Sequence, residues 1–561
     1  MAVQQTGRDV QPIAFDPVSR VAGPLAFRGE VDLRDGRVLG AEAMATHFRG
    51  YEIVLQGRDV RDAIFISSRA CGVCGGAHAK ASALACEMAF GIQPPPTGIV
   101  GRNLLAALEN LSDYPMHLFT RVGPDFSEPV VRETNPELWE RALQAAARGA
   151  PTHGYKRISD IMTGLTRFSG KLYAEALRMS RVAREAYVLI GGKYPHPQTI
   201  VPGGLSAKID RSTVNHMFLR AVPFLDYGQK VAAIWDDLTE FFYAADPRFR
   251  EVGAGPRNFI DLGLWDDPYY YDGTFETAAG WGQRRWATPG AIVEGQLRTT
   301  DLHQINMGVE EFVDHSFYED WNGGERLPTD LVGNRLSRNH PWNKETIPRP
   351  GGTSSRGKYS WSTAPRWNRY PMETGPSARL WITAMANSMP HRRFMEPTGH
   401  SLKLSVPQGA LPETELEWHL PESWGAFERN RARAYALVHS SLVAHEQVVI
   451  ALDQLRKGGP DAKVFTPYSI PKGFRAAAGL WGSSRGFLSH HMTIDKGVVE
   501  SYQILGPSTW VASPMDPFGR PGPLEEAVGA TPLLSTANPE RCIDVLRAIR
   551  SFDPCMPCTT Q

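Results

Sequence analysis

Arg69-Ala70-Cys71-Gly72-Val73-Cys74-Gly75-Gly76-Ala77-His78 holds two of the chain's six cysteines in a C-x-x-C spacing, and the question is what they bind. The second pair lies almost at the other end of the 561 residues, in Asp553-Pro554-Cys555-Met556-Pro557-Cys558. Two thiolates at this spacing sit on one tight turn and can reach one metal, so two pairs make a four-thiolate site. Cys86 and Cys542 stand alone on helix-like segments.

Around the first pair, glycines let the backbone fold tightly, and a helix is expected from near His78 to Gly91. Cys74 then lies near a helix N-terminus and Arg69 lies two residues before Cys71. Both favour the thiolate form. Ahead of the second pair, Pro539–Phe552 reads as a terminal helix with Cys542, Val545, Leu546 and Ile549 on one stripe, ended by Pro554. By geometry alone a four-thiolate site suits structural zinc or iron-sulfur chemistry. Zinc usually staples a small local unit, whereas these pairs lie in separate large segments.

Composition removes whole classes of function. Lys plus Arg equals Asp plus Glu at 60 each, so no basic surface recruits nucleic acid or anionic membrane. At 42% apolar residues and this length, two or more lobes around a large core are expected. The most apolar run, Tyr435–Leu452, is interrupted by His439, His445 and Glu446 and is not expected to span a bilayer. The first twenty residues lack the apolar segment of a secretory signal, and six cysteines are too few for a disulfide scaffold. A cytoplasmic, reducing location is expected, with membrane association or export only through a partner.

Residues 28–66 alternate in a strand-like way about an Asp35-Gly36 turn. Helical periodicity follows at about 79–90, 101–122, 136–149, 157–190, 213–243, 427–457 and 539–551. Residues 245–425 are rich in Gly, Pro, Trp and Tyr and read as strands and long ordered loops. The expected fold is α+β and predominantly helical. It divides into an N-terminal antiparallel β unit (1–66), a helical core with the first cysteine pair (67–245), β and loop insertions (246–425), and a helix leading to the cysteine tail (426–561).

Both cysteine stretches resemble signatures of one family. Arg69–His78 resembles the RxCGxCxxxH motif of the large, catalytic subunit of nickel-iron hydrogenases, and Asp553–Cys558 resembles its DPCxxC motif. The resemblance extends to 48–63, 191–204, 358–367, 484–490, 506–516 and 545–552, which covers essentially the whole chain. It implies the hydrogenase large-subunit fold, a long-helix bundle with peripheral β and loop lobes. It also implies a nickel-iron centre whose iron carries carbon monoxide and cyanide, held by Cys71, Cys74, Cys555 and Cys558. Cys71 and Cys555 would be terminal on nickel, and Cys74 and Cys558 would bridge. The implied reaction is reversible heterolysis of H2, most often in the uptake direction, with Cys555 or Arg485 as base. Asp113 and Asp553 would hold Arg485, His78 would bond a bridging sulfur, and Ser508 a cyanide. Glu52 and Gln561 would ligate magnesium or a similar hard cation.

Several positions depart from the family's commonest pattern. The family chain ends on histidine where Gln561 stands. Ala22 occupies the place of the family's proton-carrying glutamate, so another exit is expected. Thr363 replaces a common lysine, and Ser483 and Ser484 a common Ala-Pro. These shifts resemble the actinobacterial-type, oxygen-insensitive subgroup. By this resemblance, a tail ending just past Cys558 is what a processed, metal-loaded subunit would look like, or one made without the family's C-terminal extension. The implied partner is an iron-sulfur small subunit, since Cys86 and Cys542 cannot hold a cluster by themselves, with heterodimers pairing further. A regulatory hydrogen sensor would share the same site, and a structural four-cysteine zinc protein the same spacing.

Overall fold

The computed structural model describes residues 10–321, 324–350, 357–387, 393–458 and 462–560. Four long helices make its centre. α4 (Pro96–Met116) packs on α5 (Lys171–Gly191) and on α7 (Ala426–Gly458), which also carries α6 (Pro223–Ala245). Among the described helices, α7 alone is long and apolar enough to cross a bilayer. Most of its apolar window is buried in the bundle, as expected for the core helix of a large protein.

α3 (Gly75–Phe90) is buried on nearly every side because half of its residues are glycine or alanine, which lets neighbouring backbones approach closely. It lies on β4 (Arg475–Ser483) of a three-stranded antiparallel sheet with β5 (Gly486–Asp495) and β6 (Val498–Leu505). A methyl group on Gly479 would come 1.7 Å from the Ala81 carbonyl oxygen, so only glycine admits this helix-on-strand contact.

The chain's ends meet. β1 (Val10–Phe15), β2 (Leu25–Asp32) and β3 (Arg37–Ala45) form an antiparallel sheet. Its inner residues, with Val18, share one apolar cluster with Val545, Ile549, Phe552 and Met556. Burial of that cluster packs the N-terminal segment against the cysteine tail.

Four expectations from periodicity need correction. The strand pattern stops at Ala45; α1 (Tyr51–Leu55) and α2 (Asp62–Ser68) are helices, opened by Gly50 at φ 72°, and they bury Leu55, Ala63 and Ile64. The run at 157–190 is two helices, Ile158–Gly164 and α5, separated where Gly170 turns back against the Gly164 carbonyl. The run at 213–243 breaks into Arg211–Ala221 and α6, because Pro223 cannot continue the helix. The last helix, α8 (Ile543–Ser551), begins after Cys542, which sits at φ 46° outside it; Leu546 is only half-buried. The 245–425 region holds the expected short strands and loops, together with a buried helix at Pro376–Ala386.

Candidate metal centre

The turn before α3 presents Cys71 and Cys74. The backbone N–H groups of Val73 and Cys74 donate to Cys71 Sγ at 3.3 and 3.1 Å, and Cys74 caps the helix. At the other end, Pro554 follows α8, and a tight turn over Met556–Cys558 brings Cys558 N to Cys555 O at 3.0 Å. The tail is zipped to the N-terminal segment by Ala22 N donating to Pro554 O (3.2 Å) and Met556 N donating to Ala22 O (2.8 Å). Ser508 Oγ accepts from Cys555 N at 2.8 Å.

Four sulfurs thereby converge. Cys71–Cys74, Cys74–Cys558, Cys558–Cys555 and Cys71–Cys555 lie 3.0, 3.0, 3.4 and 3.5 Å apart, and all four Sγ atoms fall within 4.8 Å of one another in full burial. Hydrogen bonds from Cys558, Cys71 and Cys74, joined by the Arg485 charge, push the Cys555 thiol well below its ordinary value. Cys74, donating to Cys555, Cys558 and Cys71, is pushed well up; burial does the same first for Cys558. Four buried anions at this spacing would repel strongly, so the full thiolate set requires cationic charge among the sulfurs. A soft, multiply charged metal fits this donor set. The four-cysteine group fits a nickel-iron centre.

Over the sulfurs stands Arg485, at the β4–β5 turn. Its Nη1 and Nη2 reach Asp113 at 2.9 Å each, Nη2 reaches Asp553 at 3.0 Å, and Nη1 donates to Ser484 Oγ at 3.3 Å. Burial opposes its charge, but Asp113, Asp553 and Cys555 hold the guanidinium protonated, well above its ordinary range. Asp553, at φ 53°, also takes Arg433 (2.6 Å), Arg121 (2.8 Å) and His117 Nδ1 (3.1 Å). Burial alone would raise its carboxyl, but Arg485, His117, Arg121 and Arg433 hold it well below the usual range.

Sequence reading missed Arg121, Arg433 and His117. Pro115 lies near the end of α4, and the chain then widens into a π-helical turn over His117–Val122. Asp113, His117 and Arg121 stand at four-residue intervals, which places them on one face; that spacing was the available signal.

His78 Nδ1 pairs with His490 Nε2 at 3.0 Å, and His490 Nδ1 with the Tyr502 hydroxyl at 2.7 Å. Burial pushes His78 down to about 4, so it is neutral; its Nε2 has no hydrogen-bond partner among the described residues. Glu52, on α1, is buried and accepts from Ile504 N (2.7 Å) and Thr346. Burial, then the charge of Glu311, raises it to about 7. Glu311 itself pairs with Lys344 Nζ at 2.5 Å and accepts from Thr363. Gln561 lies outside the described residues.

A family model for nickel-dependent hydrogenases matches residues 49–163 and 168–561. The chain belongs to that family. Among solved structures, this hydrogenase chain is similar to the actinobacterial-type NiFe-hydrogenase from Ralstonia eutropha H16, at 38% identity and a TM-score of 0.95, covering 98% of this chain and 100% of that one. A reduced, active Ni-Fe-Se hydrogenase from Desulfomicrobium baculatum gives 26% identity and a TM-score of 0.76 over 98% and 100%. The curated periplasmic [NiFeSe] hydrogenase large subunit of Desulfomicrobium baculatum is 28% identical over 97% of this chain and 94% of its own. An uptake hydrogenase large subunit from Cupriavidus necator is 27% identical over 98% and 95%.

Proposed function

We propose that this chain is the catalytic large subunit of a nickel-iron hydrogenase working in the uptake direction, oxidising H2 to two protons and two electrons. The observation that carries the reading is four buried cysteine sulfurs within 4.8 Å, beneath an arginine held by two buried aspartates. When bound, the nickel-iron group, with carbon monoxide and cyanide on iron, supplies the heterolysis of H2. The protein's own residues do the rest. Cys555, the thiol pushed lowest, is the one most readily present as a thiolate, the form that can receive a proton. Arg485, fixed by Asp113 and Asp553, keeps a positive charge in a buried site, where it acts strongly. Ser508 orients the Cys555 backbone, and His78 is fixed through His490 and Tyr502.

Electrons leave through another chain, by this reading an iron-sulfur small subunit, with heterodimers pairing further. Cys86 and Cys542 are buried, and Cys86 Sγ donates to the Val60 carbonyl at 3.6 Å. Glu52, with Gln561, is the proposed site of magnesium or a similar hard cation. Lys344 and Glu311 already supply a paired charge beside it, so metal analysis rather than charge balance decides that site.

The test is an infrared spectrum of the purified complex, taken with its nickel and iron content and H2-dependent dye reduction. Bands from metal-bound carbon monoxide and cyanide, one nickel per chain and H2 oxidation are expected. Zinc at one per chain without those bands would overturn the reading.

A further inference from the structure

Oxidising one H2 releases two protons into a site whose cysteines, Arg485, Asp113 and Asp553 are all at most 3% exposed. They need a way out. At the tail, Ala22 lies against Cys555 and has no proton to carry. One buried acid outside the groups already described lies next to the site. Glu109 stands on α4 one turn before Asp113, the partner of Arg485, and is 3% exposed.

The place of Glu109 is built rather than incidental. It receives a hydrogen bond from the Ala77 backbone N–H in the first turn of α3, three residues after Cys74. One carboxylate oxygen lies over Gly76: a methyl group there would come 2.2 Å from Oε2 and 2.5 Å from the Tyr187 hydroxyl, so glycine keeps the space open. The other oxygen, Oε1, is buried without a hydrogen-bond partner, as is the Tyr187 hydroxyl. Both residues line a small internal cavity of about 10 Å³, shared with Lys80, Asn110, Ser483 and Ser484. That is room for about one water. Ser484 is also the residue whose hydroxyl accepts from Arg485 Nη1. Through Ser484 the cavity therefore links Arg485 to Glu109.

We propose that Glu109 is a proton-carrying residue of this enzyme, accepting through one water in this cavity a proton released beside Arg485. The step moves a proton only: once Glu109 has released its own proton and stands as a carboxylate, an O–H bond on the water breaks as one forms on Oε1, while the water takes its replacement from the Ser484 side. No electron moves with it. Burial, with the neighbouring Asp113 charge, raises the Glu109 carboxyl well above its ordinary value, which suits a group that must hold a proton transiently at neutral pH. Outward, Tyr194 bonds Ser112, which bonds Ser180 (2.9 Å) and the Arg184 Nε (3.1 Å) on the exposed side of α5. Ser112, three residues along α4 from Glu109, thus begins a chain of polar groups that leads to the exposed Arg184.

This inference rests on the hydrogenase reading, and the experiment separates the two. In the purified complex, Glu109→Gln keeps the shape and removes the proton. Expected are an unchanged nickel content and unchanged infrared bands, H2 oxidation slower by about 100-fold, and a larger solvent isotope effect. A loss under threefold with the wild-type isotope effect overturns the proposal. If Glu109→Gln takes up no nickel, Glu109→Asp decides: slower turnover with a raised isotope effect supports the relay. Wild-type turnover, or failure of Glu109→Asp also to load nickel, overturns it, the second by making Glu109 purely structural. Wild-type complex without H2 oxidation fails the hydrogenase reading instead.

Discussion

Replacing Arg485 by lysine keeps the charge and removes the fork. The guanidinium makes three contacts to buried carboxylates, two to Asp113 at 2.9 Å and one to Asp553 at 3.0 Å, from a side chain 1% exposed. Charge-assisted hydrogen bonds contribute about 1.5–3 kcal/mol each, and at this burial solvent screening does not discount them. An ammonium can satisfy one carboxylate well but cannot hold Asp113 bidentately while reaching Asp553. One or two such bonds are lost, roughly 2–4 kcal/mol. If that energy fixes the charge where the reaction needs it, kcat falls about 30- to 1000-fold. KM for H2 should stay near wild type, because H2 makes no hydrogen bond to the arginine. Dye-coupled H2 oxidation on Arg485→Lys complex of matched nickel content is the assay. A kcat within threefold of wild type would refute the reasoning.

Three shorter predictions concern other parts of the molecule. Glu525 is buried, accepts from Ala43 N and the Tyr359 hydroxyl, and burial raises it from 4.5 to about 7. A raised carboxyl keeps its proton in the fold while the unfolded chain has lost it, so stability falls as pH rises from 4.5 to 7, by about 3 kcal/mol; Glu525→Gln should flatten the Tm-against-pH curve over that window, and an unchanged slope counts against it. Gly479→Ala would force α3 and β4 apart, at a cost of about 3 kcal/mol or more, read as lower Tm and lower nickel content. Cys558→Ser puts a hard oxygen in a soft donor set, and metal analysis should show lost nickel or iron with H2 oxidation abolished.

What could be read from the chain alone was whatever is carried by short covalent spacing. Both cysteine pairs, the helix after the first and the break at Pro554 all follow from neighbours within ten residues. The Asp113–Arg485 pair spans 372 residues, and no local pattern distinguishes it from surface charges; only the resemblance named it. Arg433, Arg121 and His117 escaped even that, because their role depends on a widened turn that brings two of them to Asp553. The helices of 51–68 were misread because they are short and half-buried, where alternation and helical periodicity overlap. The fused runs at 157–190 and 213–243 failed for another reason: the apolar period continues across Gly170 and Pro223, while the backbone cannot.

The two halves of the metal centre come from opposite ends of the chain, and contacts other than sulfur–metal bonds join them. Eighteen buried apolar residues, from Val18 on the N-terminal side to Met556 in the tail, form one cluster behind the sulfurs. The Ala22 pairing to Pro554 and Met556 and the Ser508 bond to Cys555 N add backbone order at the ligands themselves. Removing a metal from a site of this kind leaves those interactions standing, unlike a zinc finger, whose fold is its binding energy. Without metal, Cys74 and Cys558 are pushed up toward the protonated form while Cys555, beside the Arg485 charge, is pushed down, so the sulfurs can share hydrogen bonds in place of metal bonds. In the same 561-residue chain stripped of metal, the amides of Ala22, Cys555 and Met556 should therefore stay protected in hydrogen exchange. Protection lost to the level of free chain would mean that the sulfurs, rather than the apolar cluster, hold the tail.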